Sequence, residues 1–323
     1  MTVEISSNSS GKSSDGDKKA QFSFSLRTIV FSHFNEKARW ALDYYQIPYI
    51  EHRYMPLCHM PSMFKYRSQG TPAPGSSNFA TPFLMVTPKT TDDSSDKNQG
   101  KNGNKVTLND STAIVEFLSE QFATPSTDSL YSNDSAANAR IVSLEDRFDT
   151  MLGPHVRRYF YNEVLLHSPK AIGQSLGQHD NVGRLQAWIW MVFYSMFAWI
   201  LVRFLRVNEI SAARSKDIIK REFEHISRVL ESGPPGPAYL VGNQFTAADM
   251  VLASLGGILV GVTNEDGFGA WVPRLAQFRP EAQAFCAELR ATTAGQHILE
   301  CYKLHRGGKA PGSSYGYSFF GLW

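Results

Sequence analysis

The chain has 323 residues, 42% of them hydrophobic, enough for one large or two ordinary domains, and its 32 basic and 30 acidic side chains leave a formal charge of +2. That near-balance, with no basic face or stripe, argues against a nucleic-acid partner. Cys58, Cys286 and Cys301 are far apart, odd in number and form no C-x-x-C pair, which fits a reducing compartment and argues against a disulfide framework or a metal site.

Residues 1–23 are polar and Ser-rich at the start, with neither the apolar run of a secretory signal nor the Arg content of a transit peptide. They are expected to be a disordered tail on a cytoplasmic protein. From Phe22 to Phe31, β-branched and aromatic residues alternate and end in "TIVF", a strand pattern. Asn35 to Gln46 reads as a helix whose apolar face is Ala38, Ala41, Leu42 and Tyr45. Pro48 stops it, and "YIEHRY" alternates as a second strand. Strand, helix, strand with short connections is a βαβ unit, so the two strands should be parallel.

A loose Pro-, Gly- and Ser-rich stretch follows from Met55 to Ala80, then "TPFLMV" (Thr81–Val86) and "KVTL" (Lys105–Leu108) read as strands. Between them, "TPKTTDDSSDKNQGKNGN" cannot pack a core and should be a long solvated hairpin loop. "NDSTAIVEFLSEQF" opens with capping residues and carries the helical stripe Ile114, Phe117, Leu118, Phe122. A polar linker from 125 to 136 separates this α/β domain, 24–124, from an all-helical segment, 137–306. In that segment Ala136–Tyr161 is one long pattern with a break at Gly153-Pro154, and Arg184–Val207, Ile210–Ser232, Phe245–Val260 and Glu281–His305 follow. Residues 307–323 read as a tail.

The stretch Ala187–Val202 is apolar enough to raise the question of a membrane. Its 16 residues fall short of the roughly 20 that span the hydrocarbon, so a central buried helix is expected, with a surface-anchoring helix as the alternative.

Four stretches, in this order, resemble the cytosolic glutathione transferases. "SHFNEKARWAL" resembles the active-site turn and first helix, commonly written S/C-P-x-C-x-K/R-x-R; "TPFL" resembles the cis-proline strand. "LNDSTAIVEFL" resembles the acidic-Ser pair that opens the third helix, and "GNQFTAADMVLASL" resembles a capping motif of the second domain. The resemblance runs from about Leu26 to His305. It implies a thioredoxin-like βαβ-ββα domain followed by an all-helical bundle, with glutathione as co-substrate, a small electrophile as second substrate, a detoxifying role, no metal, and a homodimer, since the family is often dimeric.

The residues support their own reading beside the resemblance. Ser32 stands where a strand ends and a helix begins, among N–H groups that favour an anion such as a thiolate. The resemblance assigns Ser32 to glutathione's sulfur, with Asn35 as a second catalytic residue and His33 and Phe34 as hinge neighbours. A plain N-cap role for Ser32 or Asn35 is the alternative. Lys37 suits a solvated helix face and Arg39 a buried pair. The resemblance makes the Thr81–Pro82 bond cis and pairs the Thr81 backbone with the ligand like an added strand. Asp110 and Ser111 would hold the γ-glutamyl ammonium and carboxylate at a helix start, a role compatible with capping. Thr246 and Asp249 have capping-box spacing and a folding role only. The second-substrate site is sparsely written, with Arg157, Arg158, Tyr159 and Tyr161 as cleft candidates and a polar helix face as the alternative reading of the cluster. Without a hinge cysteine, conjugation by a glutathione thiolate is favoured, a non-catalytic binding or interaction module comes second, and thiol exchange or dehalogenation, which would need Cys58, comes third.

Overall fold

Strand β1 (Phe22–Ile29) lies at the centre of the sheet, with its apolar residues Phe24 and Leu26, and Val30 just past its end, buried against helix α2 (His33–Tyr44) and its surroundings. The structure is a computed structural model, and it describes residues 15–66, 79–89, 105–125, 127–232 and 239–317. A short helix α1 (Asp15–Ala20) precedes β1, so the expected disordered tail is ordered from Asp15, and residues 1–14 lie outside the described residues. After α2 comes β2 (Tyr49–Tyr54), which pairs with β1 in parallel, Phe24 opposite Tyr49, as the short βαβ connections require. Helix α3 (Met60–Tyr66) lies in the stretch read as loose. Strands β3 (Phe83–Pro88) and β4 (Val106–Leu108) then pair antiparallel, and α4 (Ser111–Phe122) closes the unit. Most of the expected hairpin loop, 90–104, lies outside the described residues.

The helical half contains α5 (Ser135–Arg147), α6 (Gly153–Tyr161), α7 (Lys170–Ser175), α8 (His179–Val182), α9 (Arg184–Phe204), α10 (Glu209–Glu231), α11 (Ala247–Gly256), α12 (Pro280–Ala291) and α13 (Thr293–His305). A π-helical turn, Phe148–Leu152, replaces a simple kink at Gly153-Pro154, and a second, Asn162–His167, follows α6. The last amphipathic segment, Glu281–His305, holds two helices, divided at Thr292, whose hydroxyl accepts from Gly295 N–H and caps α13. In α11, Asp249 accepts from the Thr246 N–H and hydroxyl, and also from Leu240 N–H and His297 Nε2, so it ties α11 to α13 as well as capping it.

The segment read as a C-terminal tail returns to the first domain. Strand β5 (Ser314–Gly316) pairs in parallel with β2, and the sheet order is β4-β3-β1-β2-β5. The Lys309 ammonium lies over the Tyr315 ring and the Arg53 guanidinium stacks on the same ring, which holds β5 to the edge.

One expectation is overturned by the packing of α9. It is not a central buried helix: only 22% of its most apolar stretch is buried. Gln186, Ala187, Trp190, Tyr194, Ala198 and Leu201 face the body, while Trp188 and Trp199 are 59% and 66% exposed. Apolar residues occupy nearly its whole circumference, and the described neighbours, α7, α8 and the second π-helical turn, cover one side.

Candidate functional site

The candidate site is built where β1 turns into α2. Ser32 sits at the N-cap of α2 with extended backbone, φ −74° and ψ 125°, and its side chain makes no capping bond. Its hydroxyl is therefore left free beside the unpaired N–H groups of the helix start. The next side chains are drawn inward. His33 Nε2 donates to Gly153 O at 3.0 Å, and Phe34 lies against Gly153, where a Cβ would fall 2.5 Å from its ring. Only glycine at 153 lets α6 approach the hinge this closely. Burial drives the His33 imidazole down to about 3, with the Arg157 charge acting in the same direction, so it is neutral at physiological pH.

Asn35 is fully buried and joins the hinge to the proline loop. Its Nδ2 donates to Ile29 O at 2.9 Å and to Thr81 Oγ1 at 3.1 Å. Its Oδ1 is buried without a partner among the described residues, an acceptor that a ligand donor could satisfy. The Thr81–Pro82 bond is cis, as the resemblance implies. Thr81 is half-buried, and no described residue takes its backbone N–H or C=O.

The third part is the start of α4. Asp110 caps it, its side chain accepting from Ala113 N–H at 3.0 Å, and Ser111 is buried at the first turn. Directly behind this start lies Lys37, and here the sequence reading needs correction. Lys37 is not on a solvated face: its side chain is wholly buried, with Nζ 2.6 Å from Thr112 Oγ1, 3.0 Å from Asp149 Oδ2 and 3.4 Å from Glu145 Oε1. Burial works against its charge, but Asp149 and Glu145 outweigh it and hold the ammonium protonated, with Asp110 adding to their effect. The amphipathic pattern of α2 conceals this because the helical domain covers the side that would otherwise face water.

Arg39 is a buried-pair cation, as expected. Its Nε donates to Glu51 at 2.6 Å, and Glu51 also accepts from Arg53. Burial opposes the Glu51 charge, yet the Arg39 and Arg53 guanidiniums hold its carboxyl down at about 2. Glu36 and Asp43 bind Arg306 at the end of α13, which extends the same network into the helical domain.

The second-substrate residues divide. Tyr161 is buried against Phe31, ring centroids 6.2 Å apart, and burial raises its phenol to about 12. The Arg157 charge, on the same helix, works against protonation of His33, while Arg157 itself is exposed. Arg158 faces α10, bonded to Ser215 Oγ at 3.3 Å, and Tyr159 packs edge-on against Phe285 of α12. Cys58, Cys286 and Cys301 are free thiols. Burial pushes Cys58 up to about 11, which leaves it a thiol at neutral pH and removes the support for an exchange reaction through it. Among the described residues no cluster of His, Cys, Asp and Glu could hold a metal ion.

A parallel βαβ unit, an antiparallel hairpin after a cis-proline, a closing helix and an all-helical second domain define a glutathione-transferase fold. No family profile and no curated protein sequence matches the chain. Among solved structures it is similar to yeast Ure2p in complex with glutathione, at 13% identity and a TM-score of 0.49, covering 87% of this chain and 94% of that one. It is also similar to a possible glutathione S-transferase of Rhodopseudomonas palustris, at 14% identity and a TM-score of 0.48, covering 90% and 95%. A third is maleylacetoacetate isomerase of Anaeromyxobacter dehalogenans with bound glutathione, at 16% identity and a TM-score of 0.41, covering 90% and 99%.

Proposed function

We propose that the chain binds glutathione across the Ser32 hinge, the Thr81 backbone and the start of α4, and that the bound thiolate attacks a small electrophile, forming a carbon–sulfur bond as the electrophile's leaving group departs. The observation that carries this reading is the Asn35 bridge, which holds the uncapped Ser32 hinge against the proline loop and leaves a buried acceptor, Oδ1, on the same side chain. In this reading the Ser32 hydroxyl donates to the glutathione sulfur and lowers its pKa from about 8.5, which raises the thiolate fraction at neutral pH. The Asn35 acceptor takes a ligand N–H. The cysteinyl backbone pairs with Thr81, and Asp110 and Ser111 hold the γ-glutamyl end. Arg157 and Tyr161 line the electrophile's side of the hinge.

A non-catalytic binding module is the second reading, favoured by one observation: His33 and Phe34 press on Gly153, so the helical domain closes directly on the hinge. Conjugation of a generic electrophile at saturating glutathione decides between them. The catalytic reading expects turnover by the wild type and about a tenfold or greater loss in Ser32→Ala, the scale of one lost charge-assisted hydrogen bond. A folded wild type that binds glutathione without turnover supports the second reading.

A further inference from the structure

Among the described residues, nothing covers the outer side of α9. Leu185, Trp188, Val192, Met196 and Trp199 form one stripe at helical spacing, flanked by Met191, and all are exposed. Together they present on the order of 700 Å² of mostly apolar surface, more than the few hundred common on a soluble monomer. The charges around this stripe say what would cover it. Arg184 begins the helix, Arg203 lies in its last turn and Arg206 follows just past its end; all three are exposed, and none pairs with a carboxylate among the described residues. From Arg184 to Phe204 the helix has no Asp or Glu.

We propose that α9 docks the protein on the surface of a bilayer containing anionic phospholipids, with the Trp188–Trp199 stripe in the acyl–headgroup boundary and the three arginines on lipid phosphates. A second copy of the chain fits less well. An antiparallel contact sets Arg184 against Arg203 of the second copy, a parallel contact sets like ends together, and the helix offers no acid to answer either. Anionic headgroups answer both ends at once, and tryptophan favours the interface of water and hydrocarbon.

The helix lies on the bilayer and does not cross it, although its 21 residues are long enough to do so. Its inner side is held to the protein along its length. Gln186 bonds Arg53 O and Met55 N–H beside β2, Trp190 Nε1 donates to Gly173 O, and Leu201 is buried near the far end. A spanning helix would have to surrender these contacts and take the buried Gln186 into lipid.

Co-sedimentation of the full chain with phosphatidylcholine–phosphatidylserine vesicles tests the proposal, with phosphatidylcholine vesicles as control. The expected result is binding that weakens at high salt and with pure phosphatidylcholine, and that falls about tenfold or more in Trp199→Glu. Met196→Glu serves as a second exposed variant, and an unchanged thermal melt shows that either one is folded. Absence of binding to the anionic vesicles overturns the proposal. So does concentration-dependent dimerisation that Trp199→Glu abolishes without lipid, which would assign the stripe to a second copy. Resistance of the bound protein to alkaline carbonate overturns the flat geometry in favour of a spanning helix.

Discussion

Replacing Lys37 with Met removes the cation that buried Glu145 and partly exposed Asp149 share, and keeps most of its volume. The ammonium lies 3.0 Å from Asp149 Oδ2 and 3.4 Å from Glu145 Oε1, with the Glu145 side chain 1% exposed. Breaking a buried pair by removing one partner typically costs about 3–5 kcal/mol, because the other charge is left unanswered. The loss should depend on pH. Burial already raises the Glu145 carboxyl, and the Lys37 charge is what opposes it most. Without Lys37, Glu145 takes up a proton at higher pH in the folded chain than in the unfolded one. Folding then becomes less costly as pH falls, by up to about 1.4 kcal/mol per unit over that window. Urea denaturation of wild type and Lys37→Met at neutral and mildly acidic pH measures both effects. The expected result is a deficit of about 3 kcal/mol or more at neutral pH that shrinks on acidification and shrinks again in Lys37→Met with Glu145→Gln. A deficit below about 1 kcal/mol and independent of pH would place Lys37 in solvent and refute the buried cluster.

His33 supplies a second pH dependence. Its imidazole is ordinarily half-protonated at 6.5 but is held at about 3 in the fold, so below 6.5 the unfolded chain binds more protons and stability falls as pH drops. At pH 5 the share due to His33 is about 2 kcal/mol, and His33→Gln, which keeps a donor for Gly153 O, should flatten the acid limb of a stability–pH profile by about that amount. Asp110→Ala should raise the glutathione KM with kcat much less affected, since the γ-glutamyl end is remote from the sulfur and its contacts act as uniform binding; steady-state kinetics with glutathione varied checks this.

The α/β domain was largely legible in the sequence. Its core positions Ala38, Ala41, Leu42, Ile114 and Leu118 repeat with helical spacing and are all fully buried. The cis Thr81–Pro82 bond and the strand-to-helix hinge at Ser32 also follow the motifs that carry the resemblance. What periodicity could not show is which polar faces a second domain covers. Glu36, Lys37 and Asp43 look solvated on a helical wheel, yet each meets its opposite charge from α5 or the end of α13. The same blindness works in reverse at α9. Its composition reads as core, because a row of Trp, Met, Phe and Val does not say whether protein lies on every side of it. Strand β5 escaped notice because three residues with little apolar content give no pattern, and its docking depends on Arg53 and Lys309 meeting Tyr315.

The central claim is that glutathione binds at Ser32, Asn35, Thr81 and Asp110. Titration calorimetry of the full chain with glutathione, beside Asp110→Ala and the exposed-face variant Trp199→Glu, tests it most directly. The account predicts saturable one-site binding by wild type and Trp199→Glu, weakened by about tenfold in Asp110→Ala, the scale of one lost hydrogen bond to a charged group. Absence of heat or of saturation with the folded wild-type chain, or equal affinity in Asp110→Ala, would contradict it.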